Sequence, residues 1–345
     1  MRLGLQENVN CLNSHALRLL CRAFLTFFAT LNKYCYETNS INFLVMCISR
    51  DEIMIRCIVV TFSFVILFFI GLASVYANER QHQWVIDSAW LQHQIMHKHP
   101  IIIFDARSLE EYQQGHINTA INFPITLTYV EINNAYYVKN LKKIAPLLQQ
   151  KGVKASQQII IYDQGDLNNA ARLFWVLELY GIKNIAILNG GMDAWPEQYP
   201  LTKSHTTPQP SQYFPVLNSS VYASTTVAKV AAYSDLYQLY DSRTLDEFMG
   251  KRSATEKFGH IPKAKSIQNS AFFNTTTAGV KLLKSPKQLD IIFATLDKSR
   301  KSVTYCNKGK SSTLTYFLMK QAGFEVSHYD GSWLDWSEKG LPVEK

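Results

Sequence analysis

The chain has 345 residues, 47% of them hydrophobic and 18% charged, with a formal net charge of +8. That length accommodates two domains of ordinary size, and the composition excludes a disordered or low-complexity protein. No lysine- or arginine-dense run accompanies the positive excess, so no nucleic-acid partner is expected; the charge reads as solubility with some attraction for small anions.

Residues 57–76 (CIVVTFSFVILFFIGLASVY) form an uncharged run long enough to span a bilayer. Arg56 precedes it and Val75-Tyr76-Ala77 closes it, which is the basic, apolar, small-residue order of a cleavable export signal. Starting at Met54 gives that signal an ordinary length. The predicted division is an extension or cytoplasmic segment over 1–53, a signal peptide over 54–77, and a mature, periplasmic or secreted chain from Asn78. An uncleaved span is the alternative; it would anchor the protein in the inner membrane, the one membrane association expected. Cys11, Cys21, Cys35, Cys47 and Cys57 all fall in the segment to be lost, leaving Cys306 as the single thiol of the mature chain. A protein that relied on disulfides would carry an even set. A lone thiol in an oxidising compartment points to chemistry, unless it is an inert core cysteine.

From Asn78 onward the elements are predicted to come twice. Asp87 N-caps a short helix, and an apolar strand then ends in Asp105-x-Arg107, followed by Glu111-Tyr112 and Gly115-His116-Ile117. A second strand, Ile159 to Tyr162, opens onto the polar loop Asp163-Gln164-Gly165-Asp166, then a helix closing near Gly181, another strand, and Gly191-x-x-x-Trp195. Residues 202–220 are rich in Pro, Ser and Thr without periodicity and mark the linker. The second copy opens with Ser224 as N-cap and runs through Asp241-x-Arg243, Glu247-Phe248, Gly259-His260-Ile261, a strand at 303–305, a polar loop, a helix over 313–322, Gly323 and Trp336. Strands alternating with helices predict parallel α/β layers in each copy. The domains are placed at 78–205 and 221–345, with the linker at 206–220. Asp105 and Asp241 are expected to tie down a turn or pair with an arginine. His116, His260, Trp195 and Trp336 are expected to be structural, because the histidines recur in both copies.

Cys306 stands at the C-terminal end of its strand, followed by Asn307-Lys308-Gly309-Lys310-Ser311-Ser312 and then the helix. Ligands of open α/β sheets bind at that strand end, and a helix N-terminus offers unpaired N–H groups to an anion. Those donors, with Lys308 and Lys310, favour the thiolate over the thiol. Gly309 lets the backbone curl, and Ser311 and Ser312 are expected to add hydroxyl donors and cap the helix. The counterpart of Cys306 in the first copy is Asp163, which cannot be a sulfur nucleophile. The first copy is therefore predicted to be silent and to close one side of a cleft.

On these residues the chain resembles the tandem-domain rhodanese family, the thiosulfate and 3-mercaptopyruvate sulfurtransferases: the two Gly-His-Ile and two Asp-x-Arg copies, the closing Gly191-to-Trp195 and Gly331-to-Trp336 segments, and the Cys-centred loop. The resemblance implies an α/β fold of two rhodanese-like domains, each a mainly parallel sheet flanked by helices. It also implies that a sulfane sulfur passes from a small anionic donor to Cys306 as a persulfide, then to cyanide or a thiol acceptor, without cofactor or metal. Cys306 would be catalytic, with Arg243, Asn307, Lys308, Gly309, Lys310, Ser311 and Ser312 binding substrate. Lys308 resembles the Cys-Arg-Lys-Gly loop of the thiosulfate branch, so thiosulfate is the expected donor and 3-mercaptopyruvate the alternative. Asn307 matches neither branch, Lys310 stands where the family has a small apolar residue, and Glu247 occupies the place of an anion-gripping arginine. A cysteine phosphatase is disfavoured because it would need an arginine at position 312, which is Ser. A non-catalytic sulfur-relay module is the other reading left open.

Overall fold

The computed structural model describes residues 84–345. The predicted extension, export signal and mature start near Asn78 lie outside the described residues, as do all the cysteines but Cys306. No helix of the described residues is long and apolar enough to cross a membrane.

Two five-stranded parallel sheets repeat one topology. The first takes β1 (Val85–Ile86), β2 (Ile101–Asp105), β3 (Ile121–Asn122), β4 (Gln158–Tyr162) and β5 (Ile185–Leu188) in the order β1-β5-β4-β2-β3. The second takes β6 (Tyr222–Ala223), β7 (Tyr237–Asp241), β8 (Ala264–Ser266), β9 (Lys301–Tyr305) and β10 (Val326–Tyr329) in the order β6-β10-β9-β7-β8. Even the register recurs: Asp105 pairs with Tyr162, and Asp241 with Tyr305. The strands that lead to the two loops, β4 and β9, are central and buried on both faces, so their side chains form continuous rather than alternating buried runs.

Local signals behave as the sequence predicts. Asp87 and Ser224 accept from Trp90 N and Val227 N and cap their helices. The helix after the first loop, α1 (Asn168–Leu179), and the helix after the second, α2 (Ser312–Gln321), are buried nearly all round rather than along one stripe, as expected of helices with protein on every side. They pack on each other, with Phe174 edge-on to Phe317 at 4.8 Å and the Trp84 ring tilted against both. One apolar cluster therefore runs from Ile159 and Trp175 in the first copy to Tyr240 and Phe317 in the second. The two copies do not merely each bury a core; they share one.

Candidate active site

Cys306 follows β9 and is 2% exposed. Its amide donates to Ser332 Oγ at 3.2 Å, and Ser332 Oγ donates to Tyr329 O at 2.8 Å. From there the carbonyls of the loop are drawn outward in turn. Cys306 O accepts from Trp333 N at 2.9 Å and Asn307 O from Leu334 N at 3.1 Å. Lys310 O takes the Thr313 hydroxyl at 2.6 Å, and Ser311 O takes Asn269 Nδ2 at 2.8 Å. Gly309 O takes Arg172 Nη1 at 2.8 Å, from the first copy. The amide N–H groups of residues 307–312, by contrast, find no acceptor among the described residues. Because a peptide group is planar and its C=O and N–H point opposite ways, carbonyls held outward turn amides inward. Gly309 makes the curl at φ +76°, where a Cβ would press into the Asp330 carbonyl oxygen.

The first copy shows what such a ring of amides is for. Asp163 is buried, and its carboxylate collects Gly165 N at 3.0 Å, Leu167 N at 3.2 Å, Asn169 N at 3.0 Å and Ala170 N at 3.1 Å. Its carbonyl accepts from Met192 N as that of Cys306 does from Trp333 N. One loop thus carries an acid group seated on backbone amides, and the other places a thiol at the equivalent position, followed by amides without an acceptor among the described residues. Burial first, and the neighbouring Asp166 second, push the Asp163 carboxyl up to about 7 against the pull of those amides.

The model of the Rhodanese-like domain family matches residues 87–198 and 226–339, covering both copies and both loops. The chain belongs to the rhodanese family. It is 27% identical over 259 residues to a thiosulfate sulfurtransferase of Corynebacterium glutamicum, covering 68% of this chain and 81% of that one. It is 26% identical over 280 residues to the 3-mercaptopyruvate sulfurtransferase of Escherichia coli, covering 76% and 98%. Among solved structures, SseA from Escherichia coli superposes with a TM-score of 0.64 at 23% identity, over 73% of this chain and 99% of that one, which supports the fold. By family the protein is a sulfurtransferase with tandem rhodanese domains.

Not every residue assigned to this rhodanese site from sequence is placed as expected. Ser311 sits at the N-cap of α2 in helical conformation and makes no side-chain cap bond. Ser312 is fully buried, its Oγ 3.4 Å from His328 Nδ1. Neither hydroxyl caps the helix, because the loop enters it already wound and Thr313, one residue on, takes up the turn. Lys308 reaches the first copy, with Nζ 3.8 Å from Glu131 and 4.9 Å above the Tyr136 ring. The Arg243 guanidinium is held by Asp241 (2.6 Å) and the Gly259 carbonyl (2.8 Å) and lies over Trp333 at 4.3 Å. Arg107 is bound by Asp105 and Gly115 in the same way, so the expected Asp–Arg pairing holds in both copies. His116 and His260 hydrogen-bond the carbonyls of Tyr112 and Phe248 and stack on those rings, a structural setting.

Two departures from the family pattern explain each other. Glu247 is the N3 residue of a capping box with Thr244, as Glu111 is with Ser108. Its other oxygen accepts from Asn307 Nδ2 at 2.7 Å. Partial burial opposes its charge, but the bonds from Asn307 and Thr244 win and hold the carboxyl below its usual range. In the first copy the side chain after the aspartate, Gln164, satisfies Arg107 Nη1 at 3.3 Å. Asn307 is one methylene shorter and is engaged by Glu247. Arg243 Nη1 and Asn307 Oδ1 are both buried without a partner among the described residues. Sequence reading missed Arg172, Asn269, Asp330 and Ser332. Arg172 alone left a signal: a single charge in the run Ala170 to Leu177, which burial would oblige to find a partner.

Proposed function

We propose that Cys306 is the sulfur carrier of this sulfurtransferase and that its donor is thiosulfate. The observation that carries the reading is the free ring of amides at residues 307–312, beside a thiol that replaces the amide-bound carboxylate of the other loop. The Cys306 thiolate attacks the outer sulfur of the donor; the S–S bond breaks and sulfite leaves with its electron pair. The persulfide anion then rests on the loop amides, which stabilise localised negative charge without needing a cation or a metal. Cyanide or a thiolate attacks the terminal sulfur, thiocyanate or a new persulfide departs, and the Cys306 thiolate is restored. Splitting one transfer into two displacements is the gain of covalent catalysis. Lys308, though paired with Glu131, and Lys310 contribute positive charge beside the loop, and the buried, unpartnered Arg243 Nη1 is the donor we assign to an oxygen of the sulfonate end. The relatives named as thiosulfate sulfurtransferases support the choice of donor.

The test is thiocyanate formation from thiosulfate and cyanide by the unsubstituted protein and by Cys306→Ser. Turnover lost in the variant supports the assignment; undiminished turnover refutes it. No turnover by either form, with transfer to a thiol protein intact, would favour the relay reading. A parallel screen with 3-mercaptopyruvate sets the donor. For residues 54–77 we propose an export signal and a periplasmic or secreted location. The charge-free run and the confinement of every other cysteine to residues 1–57 support this. N-terminal sequencing of the native protein should find a start near Asn78; a start at Met1 would overturn it.

A further inference from the structure

The first domain carries Asp163 where the second carries Cys306, yet it contributes to the Cys306 loop a charged group that binds the loop backbone. Arg172 on α1 is 1% exposed. Its Nη1 donates to Gly309 O at 2.8 Å, pairs with Asp330 Oδ1 at 2.6 Å, and lies 3.3 Å from His328 Nε2. The guanidinium sits 4.6 Å over the Trp175 ring. Asp330 in turn accepts from Val138 N at 2.6 Å, so first-copy backbone completes the cluster. Of the loop carbonyls described above, Gly309 O alone is anchored by a full charge and alone by the other domain. The others are held by groups of the second domain.

We infer that Arg172 is a positioning residue that keeps the Cys306 loop open to an anionic sulfur by holding the Gly309 carbonyl away from it. The Gly309–Lys310 peptide is planar, so fixing its oxygen on Arg172 aims the Lys310 N–H the opposite way, with the inward amides. Gly309 is the loop residue with left-handed freedom, at φ +76°, and glycine flanking a peptide lowers the barrier to turning it over. Were that peptide to turn, a carbonyl oxygen would replace an amide proton at the sulfur, converting attraction for a thiolate or persulfide into repulsion. A charge-assisted bond is about twice as strong as a neutral one, which suits the one peptide most able to turn. The nucleophile-free domain is thus a working part of the site. The inference rests on Cys306 as the sulfur carrier.

The experiment compares Arg172→Lys, which keeps a charged donor, with Arg172→Met/Asp330→Asn, which removes both members of the buried pair and leaves no charge stranded. In the double variant, iodoacetamide should alkylate Cys306 about tenfold more slowly at neutral pH, and kcat should fall about tenfold or more. The donor KM should stay within about twofold. Arg172→Lys should recover most of both losses. General loosening would give the opposite alkylation result, since a buried thiol that becomes exposed reacts faster. Faster or unchanged alkylation in the folded double variant overturns the inference, as does failure of Arg172→Lys to rescue. Failure of the underlying reading shows separately, as full turnover by Cys306→Ser.

Discussion

The two loops of this protein are built on one plan and differ mainly in what fills them. After β4 the chain places Asp163, whose carboxylate takes four backbone amides and completes its own site. After β9 the chain places Cys306, and the amides that follow it have no acceptor among the described residues. The anion seat therefore belongs to the fold, not to the residue that fills it. One copy answers it with an internal acid group, while the other leaves it open, on our proposal for a sulfur that comes and goes. A side chain one methylene shorter, Asn307 for Gln164, similarly leaves Arg243 Nη1 without a partner among the described residues, where Arg107 Nη1 is engaged.

The sharpest way to break the comparison is to make the loops alike. Cys306→Asp should fold normally, its carboxylate collecting amides as Asp163 does, while thiocyanate formation falls by about 10⁴-fold or more. Loss of folding, seen as collapse of the thermal transition, would show that the two seats are not equivalent. Next in size is Gly309→Ala. A Cβ there meets the Asp330 carbonyl at a left-handed φ, so stability should drop by about 2 kcal/mol. Displacement of the loop should cost about 100-fold in kcat. Denaturant titration and steady-state kinetics report the two effects.

A smaller effect concerns the silent loop. The Asp163 carboxyl is raised in the fold, from its ordinary 3.8 to about 7, by burial and then by Asp166. A folded carboxyl that holds its proton more tightly than the unfolded one favours folding at low pH. That contribution is lost as pH rises from near 4 towards 7. Asp163→Asn should therefore flatten the fall in stability across that window, as measured by denaturation midpoints at several pH values. An unchanged slope would mean that the amides keep Asp163 ionised. The smallest expected change is at Glu247. Glu247→Gln keeps an acceptor for Asn307 but removes a negative charge from the loop's flank, and the thiosulfate KM should fall about threefold. A raised KM would mean that the carboxylate helps to hold the donor.

Much of this plan was legible in the sequence, because the repeat is written in punctuation. Gly-His-Ile, Asp-x-Arg and the closing tryptophans fix where strands end and turns begin, and their duplication predicts two like domains with a linker between. Cys306 and its counterpart Asp163 followed from the same alignment. What was not legible is whatever depends on contact between the copies. Arg172 lies well over a hundred residues before the carbonyl it anchors, and no spacing rule links it to Gly309. The capping role of Ser311 and Ser312 was misjudged because N-cap preference is a local rule, whereas the buried surroundings of α2 decide where those side chains point. Glu247 looked like a misplaced charge until the capping box and Asn307 accounted for both of its oxygens.

Whether Cys306 alone carries the sulfur is decided by peptide mass analysis after brief exposure to thiosulfate. One added sulfur atom is expected on the peptide containing Cys306, lost again on addition of cyanide with release of thiocyanate. Thiocyanate formation without any such adduct, or an adduct confined to another peptide, would contradict it.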